Sequence, residues 1–302
     1  MEEKFEIESS AGIKIACRIW KEELKEYKGV VQLVHGMQEH IGRYNIFAEF
    51  LAKNGYIVIG HDQLGHGNTV KAEEEYGHFS DENGWNCLIE DIHRVYEYSK
   101  EQYSDLKYII FGHSMGSLLV RDYITKYKDN IDKIIISGTS GYRRDIPLGI
   151  FLLKILKLIL GKKYKSKIAR YLVMDSFNRE FAPNRTIADW ISRDDDVVDN
   201  YINDNKCLRN FTLQAYEDLL KGISYVSKQK NINKSLKVPM LFISGDEDPV
   251  GQNAKGVIKV FNKYEKINDN VTIRLIKNAR HEIINELNKD FVFEMILSWI
   301  EK

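Results

Sequence analysis

The sequence predicts an α/β fold built on a mostly parallel sheet. Six short apolar runs lack the alternation of half-exposed strands, which is typical of strands buried on both faces of a parallel sheet. They are GVVQLVHG, YIVIGHD, KYIIFGHS, IDKIIISG, VPMLFISG and VTIRLIK. Amphipathic segments of helix length separate these runs, and strand alternating with helix indicates an α/β domain.

The first two strands are predicted to be antiparallel. KFEIES and KIACRIW alternate between apolar and polar residues and flank the turn-like SAG, which indicates a β-hairpin. Together with the six buried runs, the hairpin gives an eight-stranded, mostly parallel sheet flanked by helices.

Composition excludes some kinds of partner. The 44 basic residues balance the 44 acidic residues, so no overall field favours nucleic acid. The N-terminal MEEKFEIESS lacks the apolar core of a secretion signal, and three widely spaced cysteines predict reduced thiols rather than disulfides. We therefore expect a cytoplasmic protein.

One long interruption separates two of the buried strands. Residues 141–211 are more chain than a single crossover helix needs, and we expect them to form a helical cap. Residues 1–140 and 212–302 would then form the core, with FTLQAYEDLLKGISYVSKQ as the helix that returns to it.

Ser114 lies in the pattern G-x-S-x-G, within IIFGHSMGS. A strand precedes the pattern and a helix follows it, a context in which the turn exposes a nucleophilic serine. Gly112 and Gly116 remove side chains that would clash in so tight a turn. The alternative is an ordinary strand-to-helix turn without chemistry.

A serine nucleophile needs a base and an acid that orients the base. His281 follows the last predicted strand, and Asp246 and Asp248 follow the strand before it. This chain order, serine then aspartate then histidine, is that of α/β-hydrolases. The pattern does not separate Asp246 from Asp248. His113 is expected to point away from the serine.

The turn at His35-Gly36 can complete an oxyanion hole. It ends an early strand, where glycine lets the backbone present the next N–H group. We assign the two donors as the amides of Met37 and Met115, although a plain strand-ending turn would have the same pattern.

A metal site is an alternative use of five residues near this turn: His35, His40, His61, Asp62 and His66. They come from two separate loops without an accompanying cysteine or glutamate pattern. We therefore predict neither a metal nor an organic cofactor.

Several motifs together resemble the monoacylglycerol lipase and lysophospholipase branch of the α/β-hydrolases. They are HGMQEHIGRY, GHDQLGHGNT, FGHSMGS, ISGDEDPVG and ARHEIINE, joined by ADWISRDDDVVDNYINDNKC in the cap. The resemblance implies Ser114 as nucleophile, His281 as base and Asp248 as acid, with the Met37 and Met115 amides as the oxyanion hole. One departure lies in the cap, where Asn205-Lys206-Cys207 stands in place of the family's proline-containing D-P-L-C.

The cap sequence GIFLLKILKLILGKKYKSK combines leucine, isoleucine and phenylalanine with several lysines. Such a helix can lie on an anionic membrane surface or line an apolar tunnel, or simply pack on the core with solvated lysines. It is too short and too lysine-rich to span a bilayer.

These features predict a serine carboxylester hydrolase acting on monoacylglycerol-like or lysophospholipid-like esters. The alternatives are a short-chain carboxylesterase, an acyltransferase, and a non-catalytic protein of the same fold that binds lipid. The sequence does not indicate the oligomeric state.

Overall fold

The computed structural model describes the backbone of all 302 residues and every side chain except those of Leu172 and Asp175. Its centre is an eight-stranded sheet, which confirms the predicted fold class. The strands are β1 Glu2–Glu8, β2 Lys14–Trp20, β3 Gly29–Val34, β4 Tyr56–His61, β5 Tyr108–His113, β6 Lys133–Ser137, β7 Met240–Gly245 and β8 Val271–Ile276.

The strand order is β1-β2-β4-β3-β5-β6-β7-β8. β1 and β2 form the predicted antiparallel hairpin, and β2 also pairs antiparallel with β4. All the remaining pairs are parallel. Because β4 and β5 flank β3 on opposite sides, the strand order reverses at β3, and ligands of open α/β sheets bind at such a switch point.

Helices cover both faces of the sheet. They are α1 Asn45–Lys53, α2 Gly84–Gln102, α3 Met115–Lys126, α4 Ile146–Leu160, α5 Lys167–Val173, α6 Asp195–Asn203, α7 Leu213–Val226, α8 Gln229–Ile232, α9 Lys255–Glu265 and α10 Lys289–Glu301. Buried residues of α1 and α10 share one core with the sheet, and those of α2, α3, α7 and α9 share the other. The inner strands β3, β4, β5 and β7 are therefore buried along their whole length, as their continuous apolar runs predict. The same expectation was wrong for VTIRLIK, because β8 lies at the edge of the sheet and exposes Arg274 and Leu275.

The segment between β6 and α7 is helical, with α4, α5, α6 and two 3-10 helices at Asp175–Phe181 and Asp189–Ile191. α4 packs on α7. The later part of the segment has a small apolar cluster of its own, which includes Trp190, Val198 and Tyr201.

Among the helices that the structure describes, none is long and apolar enough to cross a membrane.

Candidate active site

Ser114 sits at the junction of β5 and α3 in a strained backbone conformation. Its φ is 52° and its ψ is −119°, a left-handed region that non-glycine residues rarely occupy. Two glycines make this turn possible. A Cβ on Gly112 would lie 2.6 Å from the carbonyl oxygen of Gly116, and a Cβ on Gly116 would lie 2.1 Å from that of Val34.

His281 and Asp248 come together from the loops after β8 and β7. The imidazole Nδ1 lies 3.0 Å from Asp248 Oδ2, and both side chains are buried. Asp248 also accepts hydrogen bonds from the Ser244 hydroxyl at 3.2 Å and from the Val250 N–H at 2.9 Å. These donors fix the carboxylate against the ring.

The two groups shift each other's pKa in opposite directions. Burial alone would raise the pKa of Asp248, but the charge and hydrogen bond of His281 outweigh it and leave this pKa lowered. Burial alone would lower the pKa of His281, but the Asp248 carboxylate outweighs it and leaves that pKa raised. Each charged form is therefore stabilised by the other: the Asp248 carboxylate stabilises the imidazolium form of His281 relative to the neutral ring.

Asp246 makes no corresponding contact. Its backbone N–H donates to the carbonyl of Ile276 at 3.1 Å, and within the described residues its buried Oδ1 has no hydrogen-bond partner. The structure thus brings Asp248, and not Asp246, to His281.

The outer face of His281 opens on the cavity that Ser114 also lines. Nε2 is buried and has no hydrogen-bond partner among the described side chains and backbone. The ring packs between Trp190 and His113, with centroid distances of 5.1 Å and 4.7 Å. The expectation that His113 points away from the site was wrong: its ring lines the cavity, and its Nδ1 lies 3.3 Å from the Ser137 hydroxyl.

The amides of Met37 and Met115 both border the site. Met115 is the first residue of α3, so its N–H group has no acceptor within the helix. Neither amide donates to another group in the part of the chain that the structure describes. The Gly36 amide, in contrast, donates to Glu39 Oε1 at 2.5 Å, which leaves Met37 as the donor of this turn.

A buried ion cluster lies behind this turn, formed by Glu39, Arg43 and Glu282. Arg43 donates to both oxygens of Glu282, each at 2.6 Å, and to Glu39 at 3.0 Å. All three side chains are at most 10% exposed. This Arg43 cluster links the turn after β3 to the loop of His281.

Sequence reasoning assigned the Arg43 cluster no role. Glu39 and Arg43 lie within the quoted motif HGMQEHIGRY, and Glu282 follows the base in ARHEIINE. The only sign of it in the sequence is that Glu39 and Arg43 are opposite charges four residues apart. That spacing is as typical of an exposed helix as of a buried cluster.

An apolar cavity of about 570 Å³ extends from Ser114 and His281 to helices α4 and α7. Its volume lies within the usual range of small-molecule sites. Apolar side chains from α3, α4 and α7 form much of its wall, among them Leu118, Leu148, Leu152, Leu219, Leu220 and Ile223.

A different cluster has the residue types of a metal site. Ligand atoms of His40, Asp204 and Cys207 all lie within 4.8 Å of one another. However, His40 Nδ1 accepts from the Gly42 N–H, and Nε2 lies 2.7 Å from Asp204. A neutral imidazole that accepts at Nδ1 carries its proton at Nε2 and has no lone pair left for a cation. This bonding fits a structural cluster, and of the five residues weighed for a metal only His40 belongs to it.

The chain is similar in sequence and in structure to several known proteins. Residues 25–288 match the family model described as "Serine aminopeptidase, S33". Over 294 residues the chain is 25% identical to the monoacylglycerol lipase of Mycolicibacterium smegmatis, covering 96% of this chain and 93% of the relative. It is 28% identical over 266 residues to the phospholipase YtpA of Bacillus subtilis, covering 88% and 92%.

A solved structure is also very similar. The carboxyl esterase from Bacillus coagulans superimposes with a TM-score of 0.93 at 28% identity, covering 99% of this chain and 98% of the esterase.

Proposed function

The chain belongs to the serine hydrolase family described as serine aminopeptidase, S33, and on that premise we propose that it hydrolyses monoacylglycerol-like or lysophospholipid-like esters. Relatives named monoacylglycerol lipase and phospholipase support an ester substrate with a lipid acyl group. The observation that carries the proposal is the apolar cavity that begins at Ser114 and His281.

In the proposed mechanism, Ser114 Oγ attacks the ester carbonyl while His281 Nε2 takes its proton. Nε2 has no hydrogen-bond partner within the described residues, His281 lines the cavity, and Asp248 holds the opposite ring nitrogen. A general base requires this arrangement. The Asp248 carboxylate, which raises the pKa of His281, stabilises the imidazolium that forms. That imidazolium then protonates the leaving alcohol.

The amides of Met37 and Met115 are proposed to bind the oxyanion of the tetrahedral intermediate. The dipole at the start of α3 adds to this stabilisation. Water activated by His281 then attacks the acyl group on Ser114, which releases the fatty acid and restores the serine.

The charges around the cavity favour an ester over an aminopeptidase substrate. An N-terminal ammonium group needs an available carboxylate, whereas three of the four carboxylates lining the cavity are paired with arginine, and the fourth, Glu180, is exposed and bonded to Asn253. The arginine pairs are Glu39 and Glu282 with Arg43, and Asp145 with Arg143. We therefore expect aminoacyl nitroanilides to be poor substrates.

The test is a series of nitrophenyl esters and monoacylglycerols of increasing acyl length, measured on wild type and Ser114→Ala. A fluorophosphonate label should react with wild type and not with the variant. We expect kcat/KM to rise with chain length because a longer chain buries more apolar surface. Full hydrolysis by Ser114→Ala would contradict the mechanism, and a wild-type protein that hydrolyses none of these esters would contradict the proposed function.

A short-chain carboxylesterase is the second candidate, favoured by the similarity to the carboxyl esterase from Bacillus coagulans. A preference for acetate or butyrate esters in the same series would select it. An acyltransferase would instead form a new ester when a second alcohol is added.

We also propose that residues 141–211 act as a cap on a core of residues 1–140 and 212–302, and that α4 contacts membranes peripherally. On α4, Leu158 is 91% and Ile159 72% exposed. Lysines lie near these residues in the chain, at positions 154, 162, 163, 165 and 167. Apolar residues beside a basic fringe suit an anionic lipid surface.

Sedimentation with vesicles tests the membrane contact. Binding should be stronger to vesicles containing phosphatidylglycerol than to phosphatidylcholine alone and should weaken as salt increases. Leu158→Glu with Ile159→Glu should abolish it. The control, Leu287→Glu with Phe291→Glu, changes two apolar residues outside the cap that are each 63% exposed, and it should not abolish binding. Equal binding by both double variants would contradict the assignment to α4.

We propose a cytoplasmic location as well. Cys17, Cys87 and Cys207 are all free thiols, as is usual in a reducing compartment.

A further inference from the structure

Residues 189–193 of the cap lie against residues 280–286, the loop that carries His281, and we call this the cap–histidine contact. The N–H groups of His281 and Glu282 donate to two consecutive cap carbonyls, at 3.4 Å and 2.7 Å. This part of the cap is therefore bonded to the backbone of the His281 residue itself.

The side chain of Arg280 reinforces the contact. Its Nη1 donates to the carbonyl oxygens of Asp189 at 2.5 Å and Ser192 at 3.1 Å. The guanidinium also lies 4.3 Å from the centre of the Phe181 ring, within reach of a cation–π interaction. One side chain next to His281 thus holds three points of the cap.

Glu286 also takes part in the contact, and its side chain is fully buried. It accepts from the backbone N–H of Arg280 at 2.8 Å, and from the backbone and Nε of Arg193 at 3.2 Å and 2.9 Å. If the cap segment moved away, this carboxylate would lose a charged partner inside the protein, which is costly. The contact therefore favours a segment that stays in place.

We propose that Arg280 is a positioning residue that holds cap residues 189–192 on the His281 loop and thereby keeps the imidazole aligned for proton transfer. Trp190 in this segment forms one wall of the imidazole pocket, 5.1 Å from the ring. Displacing that wall lets the ring turn, and a misaligned base slows catalysis more than it weakens substrate binding. This inference rests on the proposed function, in which His281 is the general base.

The test compares Arg280→Met and Arg280→Lys with a matched control, Arg274→Met. Methionine keeps the length of the side chain without its donors, lysine keeps a charged donor, and Arg274 is exposed on β8. With a short soluble ester, we expect kcat of Arg280→Met to fall at least ~10-fold with KM within about twofold of wild type. Arg280→Lys should regain part of the loss because its ammonium can donate to both carbonyls.

Single-turnover labelling with a fluorophosphonate separates positioning from folding. The amplitude of labelling measures the fraction of molecules that are folded. The rate constant measures the reactivity of Ser114 in those folded molecules alone. Partial unfolding of Arg280→Met would therefore lower the amplitude without changing the rate constant. A wild-type rate constant in Arg280→Met, a rise in KM alone, or no advantage of Arg280→Lys over Arg280→Met would each overturn the proposal.

Hydrogen exchange gives a readout that does not depend on activity. The Glu282 amide should exchange faster than wild type in Arg280→Met, because its acceptor is the Ile191 carbonyl in the cap. In Arg274→Met its exchange rate should equal that of wild type. Unchanged exchange in Arg280→Met would overturn the inference alone. A wild-type protein that neither hydrolyses esters nor reacts with the label would instead refute the proposed function, and exchange would still test the contact.

Discussion

Asp246 and Asp248 belong to one loop but have different surroundings. Asp248 is fully buried and bonded to His281, whereas Asp246 is partly exposed and does not contact the ring. Asp248→Asn should lower kcat by about 10³–10⁴-fold, because an amide cannot stabilise the imidazolium or select its tautomer. Asp246→Asn should change it by less than about threefold. Steady-state hydrolysis of one ester by both variants checks this, and reversed losses would make Asp246 the acid.

The Arg43 cluster carries a second prediction for single residues. Arg43→Met leaves the carboxylates of Glu39 and Glu282 buried without their cation, so the free energy of unfolding should fall by about 3–5 kcal/mol. Denaturant titration measures this loss. The double variant Arg43→Met/Glu282→Gln should be more stable than Arg43→Met because it removes one unpaired charge. A single variant within about 1 kcal/mol of wild type would show that the cluster is solvated.

At the scale of residues, the sequence was informative where function follows from a local pattern. The tight turn at Ser114 could be predicted because it needs glycines on both sides, and the position of His281 beside the Asp248 loop because both follow strand ends. The choice between Asp246 and Asp248 depends on side-chain direction within one loop, which spacing does not encode; only the family resemblance distinguished them. The Arg43 cluster could not be foreseen, because Arg43 and Glu282 are 239 positions apart in the chain.

At the scale of elements, all eight predicted strands are present. Buried parallel strands depend on continuous apolar runs, which are visible locally. The later cap was less predictable. Its 3-10 helix at Asp189–Ile191 is bonded to the loop of His281, and such short helices depend on tertiary contacts more than on their own propensity.

Residues of helix α4 line the cavity, so a substitution on this helix can test the proposed preference for acyl-chain length. Gly149 lines the cavity, and a Cβ there would lie 3.0 Å from Leu220 Cδ1. A leucine at this position must therefore occupy cavity volume. Gly149→Leu should lower kcat/KM for long acyl esters by about tenfold or more, roughly the binding energy of a few methylenes, and should leave acetate esters nearly unaffected.

Gly149→Ala is the matched control for this prediction. It adds one methyl group, and the shift of the Leu220 side chain that this requires offsets the gain of roughly 0.5–1 kcal/mol from replacing a helical glycine. The melting temperature and the chain-length preference should therefore both change little. Equal losses for acetate and long-chain esters in Gly149→Leu would mean that the substitution damages the site rather than shortening the cavity.

At the scale of the whole molecule, buried neutral histidines make stability depend on pH. Burial lowers the pKa of His35, His61 and His113 to about 4 and, with the nearby His35 ring, that of His66 to about 3. The unfolded chain binds protons at these residues below about pH 6.5. Between pH 6.5 and 4 it therefore holds more protons than the folded protein, and stability must fall as pH falls.

His281 acts in the opposite direction. Its raised folded pKa contributes stability below pH 6.5 that is lost as pH rises through the folded value. Urea titrations at several pH values should therefore show a small loss of stability as pH rises above 6.5. Since one such group opposes four, stability near pH 4 should be more than ~5 kcal/mol lower than near pH 6.5. A flat profile over this range would mean that the four rings are protonated without cost.

His61 offers the sharpest test of this pH dependence. Both of its ring nitrogens are buried, and neither has a hydrogen-bond partner in the described structure. His61→Leu removes an unsatisfied polar group together with one titrating site, so it should raise stability at neutral pH by about 1 kcal/mol or more. The slope of stability against pH between 6.5 and 4 should also become shallower. An unchanged slope would show that His61 takes up no proton on unfolding, and the pH dependence would then belong to the other three rings.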